Sequence, residues 1–415
     1  MKKYFLLIAS LSFMTYWMFG NQSTSDFKFP FLSSKVSNVT LPTLKTLVWS
    51  GYIPKLVNCQ LETALNIKIE QTTFDSNEEF IEILSDTHRQ FDVVMPTDFM
   101  VSQLVRDGLI EKISYQQIPN SENIFLAIRR SKNLQNIFQY AVPFIFGTLS
   151  IGYNYWEIGD IPLHWKDLFE PIADNRLRGH IAIVDDPRNS LGIALMVLEQ
   201  SPNSTDIAMV KKAGEYIKER MSQHLIRLQN NNMSDSLVEK DLLLTMAWSG
   251  ETAKVMHQSE FNDEALVITD CKDMKKTRSK NQQESMPYGS NSTSFIRYSV
   301  PSGPLLFFEL FAILKSSNQK ELAEKYINMM LEPEISAQIT NSSYFATVNA
   351  QATPLVNREL LNGAPYFLPI NSENVYIRRH FTEAESAIYN EVWDDVRQHY
   401  EKNIKPQLDN DIVFK

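Results

Sequence analysis

The sequence has none of the local patterns that mark the common catalytic and nucleotide-binding sites. G-x-S-x-G, H-E-x-x-H, G-x-x-x-x-G-K-[ST] and G-x-G-x-x-G are all absent from its 415 residues. Histidine is scarce, with seven scattered residues, and none of them lies beside a nucleophile motif. We therefore expect no enzyme activity, no catalytic residue and no cofactor. An enzyme is kept as a rival class, because two-lobed folds also host enzymes.

Cysteine is rarer still, and its scarcity argues against a metal centre. Cys59 and Cys271 are the only two cysteines of the chain, and neither has a partner at metal-ligand spacing. We expect no metal site. The question of a disulfide between the two cysteines is left open, since nothing in the sequence brings them together.

The chain also lacks an excess of basic residues, which argues against nucleic-acid binding. It contains 40 Lys and Arg against 49 Asp and Glu, so its net charge is −9 at neutral pH. An acidic protein of this kind is compatible with a cationic ligand. Its hydrophobic content of 43% and charged content of 21% are those of an ordinary globular protein.

Long apolar runs are missing except at the N-terminus. Lys2 and Lys3 precede an apolar stretch at 4–19, which has the length of a signal peptide and is short for a membrane span. We expect residues 1–20 to be an export signal or an uncleaved N-terminal anchor, followed by a polar tether at 21–41. Because no cysteine follows the apolar run, a bacterial lipid anchor is excluded. The expected location is the periplasm.

Strand-like and helix-like stretches alternate from residue 42 onward, which predicts an α/β fold with a parallel sheet covered by helices on both faces. A chain of 415 residues is too long for one ordinary core, so we expect two lobes. The predicted strands, some with the loop that follows, lie at 45–49, 67–73, 91–96, 140–154, 180–190, 242–255 and 305–314. The predicted helices lie at 54–65, 77–84, 206–228, 319–331 and 382–402, the last with a capping box at Thr382 and Glu385.

The segment LVWSGYIP at 47–54 places two large aromatic residues in one short turn. Trp49 and Tyr52 flank Gly51 at the end of a predicted strand. Loops that leave the carboxyl ends of strands in an open α/β sheet meet at one crevice, where ligands bind. We therefore expect the two rings to form a wall on which a ligand stacks.

A single carboxylate interrupts a later, otherwise apolar strand. Glu309 lies within the segment LLFFELF, where a buried charge is costly without a cationic partner. Two interpretations stay open at this point, because the partner is either a ligand or an Arg or Lys of the protein.

Seven short blocks occur in an order that carries a family resemblance. They are LVWSGYIP, FDVVMPTDFMVSQLVRDGLIEKI, YAVPFIFGTLSIGYN, HWKDLFEP, VDDPRNS, MAWSGETAKV and YINMMLEPEISAQI. Together they resemble the bacterial periplasmic polyamine-binding proteins, which are the spermidine/putrescine receptors of ABC importers. The resemblance extends from Leu44 to the C-terminus, apart from a polar surface insertion at 270–294.

The resemblance implies a two-lobed periplasmic-binding-protein fold of type II-like topology, with the ligand cleft between the lobes. It assigns 42–147 with 307–350 to the N-terminal lobe, and 148–306 with 351–415 to the C-terminal lobe. The chain is then expected to cross between the lobes near 146–150, 303–307 and 348–355.

The resemblance also implies an aromatic box surrounded by acids. The implied ligand-binding residues are Trp49, Ser50, Tyr52, Thr97, Asp98, Phe99, Asp186, Asn189, Trp248, Glu251, Phe307, Glu309 and Tyr344. Asp186 has a second interpretation from its local sequence, as the cap of a turn that contains Asp185 and Pro187.

At several of these positions the chain departs from the family pattern. Asn189 lies where spermidine-type members have a Glu, Phe307 replaces a Trp or Tyr, and Glu309 replaces an Asp. Asp98 stands at a position that is usually uncharged, where it either adds an acid or caps its helix. The last position of the family's site, usually a Gln, falls near His380. These departures leave the identity of the ligand more open than its class.

The implied function is that of an extracytoplasmic receptor. It captures putrescine or spermidine by lobe closure and delivers it to an ABC-transporter permease, as a monomer and without a cofactor, a metal or nucleic acid. The alternatives are an anchored sensor or docking protein that keeps the fold, a receptor for another cationic solute, and an enzyme.

Overall fold

The computed structural model describes residues 41–413, except for 87, 133, 160–162, 172–174, 231–232, 259–294, 363–374 and 380. The expected export signal or anchor, nearly all of the polar tether, the polar insertion and Cys271 lie outside the described residues. Within the described part of the chain, no helix combines the length and the apolarity that a membrane crossing needs.

The described chain forms eleven β-strands, which all belong to one sheet. They are β1 Thr43–Trp49, β2 Lys68–Phe74, β3 Val93–Val94, β4 Ala141–Asn154, β5 Ile181–Val184, β6 Arg227–Gln229, β7 Leu244–Trp248, β8 Ile296–Ser299, β9 Leu305–Ile313, β10 Ala346–Thr347 and β11 Tyr376–Ile377.

The α-helices lie between and after these strands. They are α1 Lys55–Leu65, α2 Asn77–Ser85, α3 Asp98–Arg106, α4 Leu126–Arg129, α5 Tyr155–Ile158, α6 Pro187–Val197, α7 Ile207–His224, α8 Met233–Val238, α9 Ser249–Gln258, α10 Lys320–Met330, α11 Pro333–Ser343, α12 Arg358–Leu361, α13 Glu383–His399 and α14 Lys405–Val413. A π-helical turn, Tyr400–Ile404, joins the last two.

The predicted alternation of strands and helices in the first part of the chain is confirmed. Local chemistry explains where its helices begin and end. Ser76 caps α2 by accepting a hydrogen bond from the N–H of Glu79 at 3.1 Å, and Glu78 and Glu79 place negative charge at the positive end of that helix. Asn66 ends α1 with a left-handed backbone, φ 54°.

The sheet is mixed, so the prediction of a parallel sheet is wrong in part. β1 pairs in parallel with β2 and β3, and β5 pairs in parallel with β6 and β7. The two long strands β4 and β9 lie between these groups and run antiparallel to each other, to β3 and to β7, although β9 pairs in parallel with the short β11. Helical crossovers within each group produce parallel pairs, whereas β4 and β9 connect one group to the other and run in the opposite direction. The alternation of strands and helices along the sequence predicts only how neighbouring elements are arranged. It does not predict the pairing of strands that are far apart in the chain.

Two large apolar clusters cover this sheet. We call them the first core, which contains Leu44 to Phe146, Leu306 to Val348 and Ile377, and the second core, which contains Leu149 to Leu305 and Phe381 to Leu408. The chain passes from one core to the other between Phe146 and Leu149 along β4, between Leu305 and Leu306 along β9, and again between Ile377 and Phe381. The shared strands β4 and β9 thus form the junction between the two cores.

One of two small apolar clusters bears on the expected lobe boundaries. Ala352, Val356 and Leu360 are buried with Ala337 of α11, which neighbours the first core. The lobe assignment itself stays a prediction. The packing of 352–360 favours placing this segment with the N-terminal lobe.

Several predicted helix ends differ from the structure for local reasons. The helix expected to run to residue 228 ends at His224, because Leu225 adopts φ 52° and the chain continues into β6. The predicted helix 319–331 is followed by a second helix, α11, whose first turn contains Pro333, where its missing N–H is tolerated. The predicted capping box of the last long helix is confirmed, with reciprocal bonds between Thr382 and Glu385.

This capping box leads to a prediction for stability. Thr382 Oγ1 accepts a hydrogen bond from the N–H of Glu385 at 3.2 Å. Thr382→Ala should lower the free energy of unfolding by about 1 kcal/mol, measured by urea denaturation, because it leaves that donor without its cap. Thr382→Ser keeps the hydroxyl and should stay close to the wild type. Equal stability of the Ala and Ser variants would contradict the role of the cap.

Candidate functional site

A cavity of about 490 Å³ opens between the first and second cores. Its walls come from the carboxyl ends of β1, β3, β5 and β7, from β9, and from the residue that follows β11. All predicted site residues except Asp98 and Tyr344 line it: Trp49, Ser50, Tyr52, Thr97, Phe99, Asp186, Asn189, Trp248, Glu251, Phe307 and Glu309. The structure thus brings together residues that are up to 260 positions apart in the chain.

The first wall is the turn after β1. Gly51 adopts φ 74°, a left-handed conformation that favours glycine, and this turn brings Tyr52 back beside Trp49. The two rings are stacked with centroids 6.2 Å apart and planes 29° apart. Behind them, the ring of Tyr52 packs on Phe345 at 4.8 Å. The turn therefore presents two supported aromatic faces to the cavity.

The second wall consists of Trp248 and Phe307. Their rings meet edge to face at 4.9 Å and 73°, and Trp248 packs against both cores. Gly147 of β4 leaves room for this arrangement, since a Cβ at that position would lie 2.5 Å from Phe307. The second wall is therefore fitted closely to the strand that joins the two cores.

Glu309 is the buried acid of the cavity, with 2% of its surface exposed. Its Oε2 accepts a hydrogen bond from Trp49 Nε1 at 2.8 Å, and its Oε1 accepts one from Thr97 Oγ1 at 3.0 Å. Burial raises the pKa of Glu309 well above its ordinary value, and nearby Asp98 raises it further. The hydrogen bonds and the charge of Arg378 oppose this shift. Glu309 is thus held in place by neutral donors at the cavity wall.

Asp98 does not line the cavity. It is the first residue of α3 and not its cap, since Thr97 holds the cap position. Its carboxylate is buried and accepts hydrogen bonds from the N–H of Phe99 at 2.7 Å and of Phe308 at 3.2 Å. Burial raises the pKa of Asp98 to about 6, against the opposing effects of Arg378 and these two donors. Asp98 therefore joins α3 to β9 behind the cavity.

Asp186 lines the cavity and also caps a helix. Its Oδ1 accepts a hydrogen bond from the N–H of Asn189 at 2.7 Å, at the start of α6. Burial raises its pKa, and Arg378 opposes this shift. The neighbouring Asp185 is held from the other side by Trp393 Nε1 at 2.7 Å. The local interpretation of Asp186 as a cap and its predicted place in the site are therefore compatible.

Tyr344 also lies outside the cavity. It ends α11 with a left-handed backbone, φ 64°, and its side chain packs on the small cluster of 352–360. The next residue, Phe345, supports the cavity instead, because its ring contacts Tyr52 at 4.8 Å and Phe307 at 5.8 Å. The reversal of the chain at the helix end directs the two neighbouring rings to different places.

Acids at the outer part of the cavity were missed by the sequence reasoning. They are Asp75, Glu78, Asp185 and Asp235. Asp75 directly follows β2, so the rule that ligand sites lie at the carboxyl ends of strands would have found it. Lys254 lies in the same region, beside Glu251.

The most consequential missed residue is Arg378. It directly follows β11, lines the cavity and has only 6% of its surface exposed. Its Nη1 donates a hydrogen bond to Asn189 Oδ1 at 3.0 Å. The expected last site position near His380 was the available signal, although His380 itself lies outside the described residues.

The arrangement combines flat rings with carboxylates. Such a site suits a ligand that has apolar methylenes and positive charge, because rings shelter the methylenes and attract cations through their faces. Among the described residues, no group of three or more His, Cys, Asp or Glu side chains has an arrangement that would hold a metal ion.

Comparison with known proteins assigns this architecture. A family model described as bacterial extracellular solute-binding protein matches residues 59–359. The putrescine-binding periplasmic protein of Pseudomonas aeruginosa is 24% identical over 323 residues, which is 76% of this chain and 80% of that protein. The spermidine/putrescine-binding periplasmic protein of Salmonella typhimurium is 24% identical over 357 residues, 86% of this chain and 91% of that protein.

Solved structures share the fold. The substrate-binding protein of a spermidine/putrescine ABC transporter from Streptococcus pneumoniae, in complex with calcium and HEPES, has a TM-score of 0.68 at 20% identity and covers 86% of this chain and 99% of its own. A lipoprotein of Treponema pallidum has a TM-score of 0.67 at 19% identity, with 85% and 99% covered. The predicted two-lobed α/β fold class and the predicted resemblance are confirmed.

The burial of Glu309 predicts a pH dependence of stability. Because its pKa is raised in the folded state, its stabilising contribution is complete below the unfolded-state pKa of about 4.3 and is lost as the pH rises toward the folded-state pKa. Relative to Glu309→Gln, the wild type should therefore lose stability above about pH 5, by at most about 1.4 kcal/mol per pH unit. Urea denaturation of both proteins across this range measures the difference. Parallel stability curves would refute the shift.

Proposed function

The chain belongs to the bacterial extracellular solute-binding protein family, and from this premise we propose that its cleft captures an aliphatic polyamine outside the cytoplasmic membrane. The putrescine- and spermidine-binding relatives support this ligand class. The acids and rings of the cavity support it independently, since they suit a slender cation. The ligand is handed to the permease of an ABC transporter.

The buried carboxylate of Glu309 is the observation that carries the proposal. It faces a cavity walled by aromatic rings, and among the described residues it accepts hydrogen bonds from neutral donors and forms no ion pair. A buried carboxylate without a cationic partner is unfavourable, and its raised pKa is the sign of that penalty. An ammonium group of the ligand supplies the missing charge.

The aromatic residues bind the rest of the ligand. Each methylene removed from water contributes about 0.8 kcal/mol, and Trp49, Tyr52, Trp248 and Phe307 offer the surfaces that cover them. Ring faces add a further ~0.5–2 kcal/mol for a cation placed over them. The site therefore recognises an aliphatic chain and its charge through different side chains.

Lobe closure is the proposed mechanism. We assign the N-terminal lobe to the first core and the C-terminal lobe to the second, with crossings at 146–149, 305–306 and 377–381. The third crossing replaces the one expected near 348–355, since 352–360 packs beside α11. A ligand that touches both lobes makes contacts that only a closed form offers, so binding shifts the population toward that form.

The remaining parts of the proposal follow from this mechanism. The protein acts as a monomer that undergoes no covalent chemistry, and the closed shape is what the permease recognises. The N-terminal segment exports the chain to the periplasm, as a cleaved signal or as an anchor. Nucleic acid is not a partner in this proposal, because Asp and Glu (49) outnumber Lys and Arg (40).

Calorimetric titration with putrescine and spermidine tests the function. Glu309→Ala should weaken amine binding by about a hundredfold or more, because a buried ammonium would lose its carboxylate. Trp248→Ala should weaken it by about tenfold or more, because it removes a wall and a ring face. Tyr344→Phe is the matched control outside the cavity and should bind like the wild type.

Two outcomes would contradict the proposal in different ways. If the wild type binds an anion or a sugar but neither amine, the ligand class is wrong. If both site variants bind the amines as tightly as the wild type does, the assignment of the site is wrong.

Proton release on binding is a second prediction. Burial raises the pKa of Glu309 in the empty site, whereas an ammonium ligand favours the carboxylate. Binding near neutral pH should therefore release up to about one proton, and affinity should rise by up to about tenfold per pH unit until Glu309 ionises in the empty site. Asp98 and Arg378 are the charged neighbours that modulate this titration.

Calorimetry in two buffers of different ionisation enthalpy counts the released protons. Glu309→Gln is the control and should release fewer protons, with a flatter dependence of affinity on pH. Wild-type affinity that is constant between about pH 6 and pH 8 would show that Glu309 does not titrate with binding.

A further inference from the structure

A cation of the protein already occupies part of the aromatic box. The guanidinium carbon of Arg378 lies 5.2 Å from the ring centroid of Phe99, 5.8 Å from that of Trp248 and 5.7 Å from that of Phe307. These distances are within the range of cation–π attraction. The three ring faces that would otherwise hold a ligand ammonium thus already surround a positive charge.

The hydrogen-bonding capacity of this guanidinium is only partly used. Nη1 of Arg378 donates to Asn189 Oδ1 at 3.0 Å. Within the described part of the chain, Arg378 forms no ion pair, and its buried Nε has no hydrogen-bond partner. Arg378 lines the cavity, so its guanidinium keeps the capacity to donate to an acceptor placed there.

The nearby acids do not accept the unused hydrogen-bond donors of Arg378. Asp98 and Asp186 lie close enough for Arg378 to affect their charge. The carboxylate of Asp98 accepts from the backbone N–H groups of Phe99 and Phe308, and that of Asp186 accepts from the N–H of Asn189. Both acids are thus engaged with backbone donors, and among the described residues neither accepts a hydrogen bond from Arg378, although Asp186 also lines the cavity.

A ligand ammonium cannot share this end of the cavity at low cost. Two positive charges about 4 Å apart repel by roughly 4 kcal/mol at the effective dielectric of a protein surface. The part of the cavity beside Trp49 and Thr97, which we call the Glu309 end, has the opposite character, because it contains a buried carboxylate. The charge of Glu309 therefore favours a cation at one end of the cavity, and the charge of Arg378 opposes one at the other end.

We propose that Arg378 is a selectivity residue that occupies one cation position of the cleft, so that the preferred ligand is an aliphatic amine with an ammonium at the Glu309 end and an oxygen acceptor at the Arg378 end. An acylated amine and an amino carboxylate share this chemistry. The inference rests on the proposed function, because it concerns the other end of the same ligand.

Three ligands with the same four-methylene chain test the inference by calorimetry. Putrescine has a second ammonium, N-acetylputrescine has a neutral amide, and 5-aminopentanoate has a carboxylate. The wild type should bind at least one of the two acceptor ligands about tenfold or more tightly than putrescine. The ratio between the two acceptor ligands reports which kind of oxygen group Arg378 receives.

Variants separate the charge of Arg378 from a merely structural role. Arg378→Gln should remove the preference for the acceptor ligands, through weaker binding of these ligands and tighter binding of putrescine. Arg378→Lys keeps the charge and should retain the direction of the preference. Arg379→Gln is the control, since Arg379 pairs with Glu385 at 2.9 Å and does not line the cavity. It should keep the wild-type order.

The outcomes distinguish this inference from the proposed function. If putrescine binds the wild type more tightly than both acceptor ligands, the inference is wrong and the capture of polyamines stands. If the acceptor ligands are preferred equally by the wild type and Arg378→Gln, another residue causes the preference and the assignment to Arg378 is wrong. If no amine binds at all, the proposed function fails, and the inference fails with it.

Discussion

The placement of one carboxylate inside an apolar strand is the constraint on which the site depends. Glu309 is buried on β9, where Trp49 and Thr97 hold both of its oxygens. Burial, with a further contribution from Asp98, raises the pKa of Glu309, and the hydrogen bonds from these neutral donors only partly oppose that shift. The acid is thus held in the orientation in which we propose that it binds a cation. The hydrogen bond from Trp49 that orients the acid also ties the turn after β1 to β9.

The strands that carry this acid also connect the two cores. β4 and β9 pair with each other, and each passes from one core to the other within three residues or fewer. Glu309 therefore lies on one of the strands that join the two cores. Trp248, in the second wall of the cavity, lies at the same junction, because it packs on both cores. The cavity wall and the junction between the cores thus share one set of strands.

Charge in the cavity is divided between its two ends. Glu309 provides an acid with no protein cation bound to it among the described residues, whereas Arg378 brings a cation that is enclosed by three rings. Aromatic faces attract positive charge regardless of its source. A protein residue can therefore replace a ligand ammonium in such a box and change which ligand fits, without any change in the fold.

The sequence by itself determined most of the long strands and helices and the loops that form the cavity. Trp49, Trp248 and Glu309 were found because periodicity and strand ends are local properties, and because ordered motifs carried the resemblance. Only the tertiary structure decided that Asp98 bonds β9 from behind, that Tyr344 turns away, and that Arg378 enters the box. Their roles depend on contacts with residues up to 279 positions away, the separation of Phe99 and Arg378, and no local pattern encodes which distant donor or ring a side chain will meet.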